Sequence, residues 1–388
     1  MSIATESTSQ LQCNIGNRLT QIAERMPGAT AVVMTDGKAD GKYRYRQVTF
    51  AELEEDSNHI AAGLQAMGVK PGTRLALMVK PSIDFVSLTF ALFKTGAVTI
   101  LIDPGMGKDN LLLCLEEVQP QGFVAIPIAH VARILHRSRF PAAEFNVTVG
   151  RRWLWGGPTL KQLRATDPSK YRPIETSADD EAAIIFTTGS TGPPKGVLFQ
   201  HGTFAAQVDQ IRERYDIQPG GIDLAGFPLF GLFNAAMGTT TVIPDMDASR
   251  PASVDPNAIV SAVRDWDINQ SFASPAVWNS VGRYCEENDI RLTSLRRVLS
   301  AGAPVPNHVL ARMKRVIADD GDIFTPYGAT ESLPVASISA SEVLGETGHA
   351  TASGSGTCVG RRFSAVDWKV IKIVDGPIER LDQVEPLP

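Results

Sequence analysis

Apolar and polar positions along this chain follow two periods, and the switches between them outline strand–helix–strand repeats. Apolar residues at Ile15, Leu19, Ile22 and Met26 have helical spacing, and Pro27-Gly28 stops that helix. Ala31 to Met34 reads as a short strand. Thr49-Phe-Ala-Glu52 has the form of a capping box and opens a helix that runs to Gly68. Arg74 to Val79 reads as a strand, Ser82 to Thr95 as an apolar-faced helix ended by Gly96, and Val98 to Ile102 as the next strand. Such spacing predicts parallel, right-handed βαβ units. Asp103-Pro-Gly-Met-Gly107 with Lys108 reads as a turn into a helix from Asn110 to Val118.

Further along, helices are predicted over Thr203–Tyr215, Asp255–Trp266, Pro275–Asn288 and Pro306–Ala318. Strands are predicted over Ala182–Phe186, Gln270–Ala273, Arg297–Ser300 and Ile323–Thr325. Ala350 to Gly356 is a small-residue stretch of the kind that joins subdomains. Val366 to Val374 alternates and predicts a strand that opens a further subdomain. The fold class is therefore α/β, with approximate subdomains at residues 15–180, 181–349 and 357–388.

Composition narrows the picture modestly. The chain has 388 residues, 43% hydrophobic and 20% charged, which is ordinary for a globular protein with a sizeable core. A net charge of −5 and no long basic run exclude a nucleic-acid footprint. Cys13, Cys114, Cys285 and Cys358 stand far apart, so the expectation is reduced, mostly buried thiols and no zinc. No apolar run is long enough to span a bilayer and no leader is visible at the start, so the expected compartment is the cytoplasm. Arg137, Arg139, Arg151 and Arg152 are scattered through a less regular region, where Trp153-Leu-Trp155 reads as a packing anchor.

Candidate chemistry concentrates in two stretches. After the apolar run ending at Phe186 comes Thr187-Thr188-Gly189-Ser190-Thr191-Gly192-Pro-Pro-Lys195-Gly. Glycines let consecutive N–H groups converge on an anion, hydroxyls add donors, and a lysine supplies a compact positive charge. It is not a Walker A loop: counted from Gly189, the second glycine would fall at Pro194, and Val197 follows Gly196 where a hydroxyl is needed. The second stretch is Phe324-Thr-Pro-Tyr327-Gly328-Ala-Thr330-Glu331, preceded by Ser300-Ala-Gly302-Ala303-Pro304. Between them, Phe227-Pro-Leu-Phe230-Gly-Leu-Phe233 reads either as core or as the wall of an acyl pocket.

The loop closely resembles the signature of the adenylate-forming superfamily of acyl-CoA synthetases, luciferases and peptide-synthetase adenylation domains. Tyr327-Gly-Ala-Thr-Glu331 matches that superfamily's second signature. The resemblance runs from about Ile15 to Pro388. It implies the large N-terminal domain of such an enzyme: two βα subdomains with flanking helices and the start of a small β subdomain. It further implies ATP, AMP and Mg²⁺ as ligands. Thr187, Thr188, Gly189, Ser190, Thr191, Gly192 and Lys195 would surround the β- and γ-phosphates. Tyr327 and Gly328 would flank adenine, Gly302, Ala303 and Pro304 would line adenine and ribose, Thr330 would meet the α-phosphate, and Glu331 would hold Mg²⁺. Lys195, Thr330 and Glu331 are the candidate catalytic residues, and Phe227, Phe230 and Phe233 the candidate substrate wall. His201 reads as a structural, hydrogen-bonded histidine.

Many acyl-CoA synthetases place a histidine after a Pro-Leu-Phe type segment, whereas Phe230-Gly231 stand there in this chain. The family's later motifs, including a small C-terminal domain with a catalytic lysine, have no counterpart in the sequence, so residues 1–388 alone are expected to be poor catalysts. Ile102-Asp-Pro-Gly-Met-Gly-Lys108, Phe227–Phe233 and Val242-Ile-Pro-Asp-Met-Asp247 resemble one branch, the β-lactone synthetases of bacterial long-chain olefin biosynthesis. That resemblance implies a long-chain carboxylic or β-hydroxy acid substrate, other olefin-pathway enzymes as partners, and no integral membrane segment. The alternatives are an acyl-CoA or acyl-AMP ligase and a catalytically inactive nucleotide-binding fragment.

Overall fold

The computed structural model describes residues 13–187 and 194–387. Its first half contains α1 (Gly16–Arg25), β1 (Thr30–Ala39), β2 (Lys42–Thr49), α2 (Phe50–Ala66), β3 (Arg74–Met78), α3 (Ile83–Lys94), β4 (Val98–Ile102), α4 (Lys108–Val118), β5 (Gly122–Ala125), α5 (Pro127–Leu135), β6 (Phe145–Thr148), α6 (Leu160–Arg164) and β7 (Glu181–Thr187). Then follow β8 (Lys195–Gln200), α7 (His201–Arg214), β9 (Ile222–Ala225), α8 (Pro228–Met237), β10 (Thr240–Ile243), α9 (Pro256–Asp265), β11 (Gln270–Ala273) and α10 (Pro275–Glu287). The last are β12 (Arg297–Ser300), α11 (Asn307–Val316), β13 (Asp322–Ala329), β14 (Ser332–Ser339) and β15 (Arg361–Arg362).

Local chemistry fixes where these helices begin. The Thr49–Glu52 capping box forms in full, each side chain accepting from the other residue's backbone N–H. Ser82 caps α3 by accepting from the Phe85 N–H at 3.2 Å. Pro127, Pro228, Pro256 and Pro275 stand in the first turns of α5, α8, α9 and α10, where a missing N–H costs nothing.

The strands form two sheets. The smaller has the order β6-β5-β3-β4-β7-β8, parallel except for β8; the larger has the order β15-β14-β13-β12-β11-β9-β10-β1-β2. The predicted βαβ units are present: β3 pairs β4 in parallel across α3, and β11 pairs β12 across α10. The chain interleaves the sheets, because Thr30–Thr49 adds to the larger and Glu181–Gln200 to the smaller. The sequence intervals 15–180 and 181–349 thus each supply strands to both.

Alternation along the strands separates the layers. Leu75 and Leu77 join a core with α1, α2 and α3, while Ala76 between them joins α4 on the opposite face. Val32 faces that same α1–α3 core and Val33 the core of α9, α10 and α11. The helices α1–α3 are thereby packed between the two sheets.

Two strands were not assigned from sequence, and two expectations need correction. Lys42–Thr49 pairs with β1 as an edge strand, and Asp40 and Gly41 make the tight turn with φ of 50° and 76°; Asp-Gly is the signal for such a hairpin. Lys195–Gln200, unassigned in sequence, is a strand antiparallel to β7. Val366–Val374 is not a strand: only Ile371 bridges to Pro386, and Ile373 is 94% exposed. The segment's ladder pairing is limited to the Lys372 N–H to the Glu385 carbonyl at 3.1 Å and the Leu387 N–H to the Val370 carbonyl at 2.8 Å, among the described residues. Of the cysteines, all free, Cys114 and Cys285 are buried and Cys358 is exposed, so burial holds for only part of the set.

Lys94, at the end of α3, is buried and donates to Glu54 at 2.6 Å, Ser57 at 2.8 Å and Asn58 at 2.7 Å, all on α2. Glu54→Gln preserves shape but leaves that ammonium without a counter-charge. It is expected to cost about 3–5 kcal/mol in urea unfolding, whereas Lys94→Met, which removes the buried charge itself, costs clearly less.

Candidate active site

Two hairpins present the candidate chemistry. In the smaller sheet Thr187 pairs with Lys195 at the open end of the β7–β8 hairpin, and the Lys195 side chain is exposed. Thr188, Gly189, Ser190, Thr191 and Gly192 lie outside the described residues. In the larger sheet β13 and β14 form a hairpin whose turn is Thr330-Glu331. Tyr327 lies on β13 opposite Ala336 and is 53% exposed. The strand therefore continues past Thr325, carrying the motif to its tip. Glycine at 328 is a packing requirement, since a Cβ there would stand 2.6 Å from the Ser332 carbonyl oxygen. Beyond β12, Gly302 adopts a φ of +90°, which turns the chain so that Ala303 and Pro304 lie exposed beside the strand end.

These elements border one cleft of about 2260 Å³. It brings together Lys195, Gly302, Ala303, Pro304, Tyr327, Gly328, Thr330 and Glu331 with Phe227, Phe230 and Phe233. The three phenylalanines belong to α8 and its N-terminal boundary. Phe230 stacks on Phe272 of β11 at 4.1 Å, and Phe233 meets Phe204 of α7 at 6.1 Å. An aromatic wall thus runs from the cleft opening towards the helix layer.

Two further groups were not singled out from sequence. Gln207 on α7 donates through Nε2 to the Leu333 carbonyl at 2.7 Å, tying the helix after Lys195 to the strand after Glu331. Asp223 on β9 is buried at the cleft floor and accepts from Asn234 Nδ2 at 2.8 Å. Burial pushes its carboxyl up to about 7, opposed by hydrogen bonds from Asn234 and Gln270 and by the Arg297 charge. The signal was available: an aspartate inside the apolar strand Ile222-Asp-Leu-Ala is out of place unless it has partners.

His201 is structural, as expected. It is fully buried, its Nδ1 accepts from the Ile15 N–H at 3.3 Å, and burial pushes it down to about 4. Among the described residues no group of three or more His, Cys, Asp or Glu could hold a metal ion. No helix there is long and apolar enough to cross a membrane.

Two parallel-rich sheets, with Lys195 of one and the Thr330-Glu331 turn of the other bordering one cleft, define the class of enzymes that activate carboxylates by adenylation. The architecture matches the inhibitor-bound N-terminal domain of FACL13 from Mycobacterium tuberculosis, with a TM-score of 0.74 at 20% identity over 91% of this chain and 83% of that one. It also matches a long-chain-fatty-acid-CoA ligase (FadD1) from Archaeoglobus fulgidus, with a TM-score of 0.78 at 20% identity over 97% and 74%. The chain belongs to the AMP-binding enzyme family, whose match spans residues 19–380, and it is an ATP-dependent, adenylate-forming enzyme. It is 43% identical over 378 residues to the olefin beta-lactone synthetase of Xanthomonas campestris pv. campestris, covering 97% of this chain and 67% of that protein. To the olefin beta-lactone synthetase of Stenotrophomonas maltophilia it is 41% identical over 380 residues, covering 97% and 68%.

Two of the buried ionisable groups, Asp223 and His201, give opposite pH slopes. The native state keeps a proton on Asp223 between the ordinary carboxylate value of about 3.9 and about 7, where the unfolded chain has released it, so this contribution is lost as pH rises through that window. His201 acts the other way between about 4 and the ordinary 6.5, its contribution being lost as pH falls. Comparing wild type with Asp223→Asn cancels the histidine. Melting temperatures across pH 4 to 8 should show the variant gaining on wild type as pH rises to about 7, then running parallel.

Proposed function

We propose that this enzyme adenylates a long-chain β-hydroxy carboxylate and closes it to a β-lactone, releasing AMP and pyrophosphate. The observation that carries the reading is a cleft bordered by Lys195, by the Thr330-Glu331 turn and by Phe227, Phe230 and Phe233. The 41–43% identical relatives named olefin beta-lactone synthetase support the choice of product. On this reading the enzyme works alongside others of olefin biosynthesis.

In the first step a carboxylate oxygen attacks the α-phosphorus and the bond to pyrophosphate breaks. Anion meets anion, so the site must neutralise charge and hold the groups in line. Lys195, together with Thr187, Thr188, Gly189, Ser190, Thr191 and Gly192, serves the β- and γ-phosphates. Thr330 donates to the α-phosphate. Tyr327 offers a flat face to adenine against Gly328, and Gly302, Ala303 and Pro304 border the nucleoside. Mg²⁺ suits one or two carboxylates plus phosphate oxygens rather than an all-protein cage. Glu331 at an exposed turn, with no larger acidic cluster among the described residues, fits that donor set. When bound, Mg²⁺ supplies charge neutralisation to the phosphates.

In the second step the substrate's β-hydroxyl oxygen attacks the acyl carbon, loses its proton, and the bond to AMP breaks. Intramolecular attack needs no second substrate, but a four-membered ring is strained and water competes. The aromatic wall keeps water from the acyl carbon and holds the chain in place.

Lys195→Ala and Glu331→Gln are each expected to weaken ATP binding about ten- to a hundredfold, since charged hydrogen bonds contribute about 1.5–3 kcal/mol. Titration calorimetry with Mg²⁺ present checks this, and wild-type affinity in both variants would refute the nucleotide assignment. For the product, a β-hydroxy acid and ATP are supplied, with and without coenzyme A, to the enzyme at the length of its 41–43% identical relatives. A β-lactone by NMR and mass spectrometry in both cases is the expected result. A thioester formed only with coenzyme A, and no lactone, would establish an acyl-CoA ligase instead.

A further inference from the structure

The helix α5 is built inside out. Its buried residue is His130, whose Nε2 meets the Val147 carbonyl at 3.0 Å, whereas Ile128 is 66% exposed and Leu135 74% exposed, with Ile134 also exposed. A helix that buries a histidine and presents isoleucine and leucine outward leaves its apolar face uncovered.

The neighbouring loop extends that face. Trp155 is anchored: its Nε1 donates to Thr148 Oγ1 at 2.8 Å, and its ring lies 5.5 Å from that of His130. Trp153, 5.5 Å from Trp155, stands in solvent, and Leu154 is fully exposed. The reading of Trp153-Leu-Trp155 as a packing anchor therefore holds for Trp155 alone. The other two residues form the tip of a projection beside α5.

Charge is the second observation. Between Pro127 and Lys161 the sequence carries Arg133, Arg137, Arg139, Arg151, Arg152 and Lys161 against one acidic residue, Glu144. This stretch is thus strongly positive in a chain of net charge −5. Arg139 pairs with Glu116 at 3.2 Å, but Arg137, Arg151 and Arg152 have no ion-pair partner among the described residues. The third observation is position, because Ile128, Ala129 and Ala132 of α5 also line the large cleft. The apolar face is continuous with the cleft wall.

We propose that α5 and the 151–155 loop dock this enzyme on an anionic lipid surface. Tryptophan and leucine at a protruding tip enter the interface, and unpaired arginines beside them meet lipid phosphates while their stems pack on apolar surface. A protein partner would be met as well by the apolar residues, but the concentration of unpaired arginine on an otherwise acidic chain favours a negatively charged surface. A lipid surface also gives a water-insoluble substrate a direct path along α5 into the cleft.

The test uses phosphatidylcholine vesicles with and without phosphatidylglycerol, read by co-sedimentation and by tryptophan emission. Wild-type protein should bind the anionic vesicles, with a blue shift in emission, and release as salt rises. Each basic residue near an anionic surface is worth about 1 kcal/mol, so Arg137→Ala with Arg151→Ala should lower partitioning about thirtyfold. Leu135→Glu with Leu154→Glu should lower it at least about tenfold. All four positions are exposed, so the variants should melt with wild type. Failure of wild type to bind, equal binding to neutral vesicles, or wild-type binding by both variants would overturn the proposal. So would self-association in sedimentation that Leu154→Glu abolishes while no vesicle binds, since protein would then cover this face.

Discussion

A single buried ammonium holds the middle of this molecule together. Lys94 ends α3 with its charge inside the layer between the sheets, where an unpaired cation is costly and a paired one demands fixed partners. Glu54, Ser57 and Asn58 meet that demand from α2, and Thr20 of α1 reaches the same Glu54 at 2.9 Å. Gly16 lets α1 pass close by, since a Cβ there would lie 3.0 Å from Lys94 Cγ. Apolar packing alone would allow these helices to slide; a charge with directional partners sets their register.

From that point the constraint reaches the cleft. Phe93, the residue before Lys94, accepts from Asn14 Nδ2 at 2.9 Å through its carbonyl and packs against His201 and Phe204 of α7. That helix follows directly from the Lys195 strand, and its Gln207 holds the strand that leaves the Thr330-Glu331 turn. The two hairpins belong to different sheets, so Lys195 and the Thr330-Glu331 turn are brought to one cleft by the intervening helices rather than by shared strand pairing. The site is as precise as this helical layer is rigid.

Much of this was legible in sequence because it is local. Capping residues, prolines at helix starts and apolar runs report on their own neighbourhood, and the βαβ units follow from them. Both candidate stretches stood out by residue type and spacing, and their described residues Lys195, Tyr327, Gly328, Thr330 and Glu331 border one cleft. What escaped was pairing at a distance. Lys42–Thr49 alternates tyrosine with charge because it is an edge strand facing water, and its hydrophobic pattern is correspondingly weak. Val366–Val374 has strand periodicity but, among the described residues, pairs only around Ile371. Gln207 and Asp223 matter through contacts with Leu333, Asn234 and Gln270, which no spacing rule connects.

The aromatic wall shows how one small residue sets the character of the site. Gly231 lies where α8 presses on the larger sheet; a Cβ there would sit 3.1 Å from Ala225 Cβ and 3.2 Å from Thr241 Cγ2. A larger side chain there would press on Ala225 and Thr241, on the helix that carries Phe230 to its stack on Phe272. Phe227, Phe230, Phe233 and Phe272 all line the cleft. On the proposed reading an activated acyl group must be kept from water for a strained ring to close. A wall of aromatic rings on a helix seated close to the sheet at Gly231 suits that need.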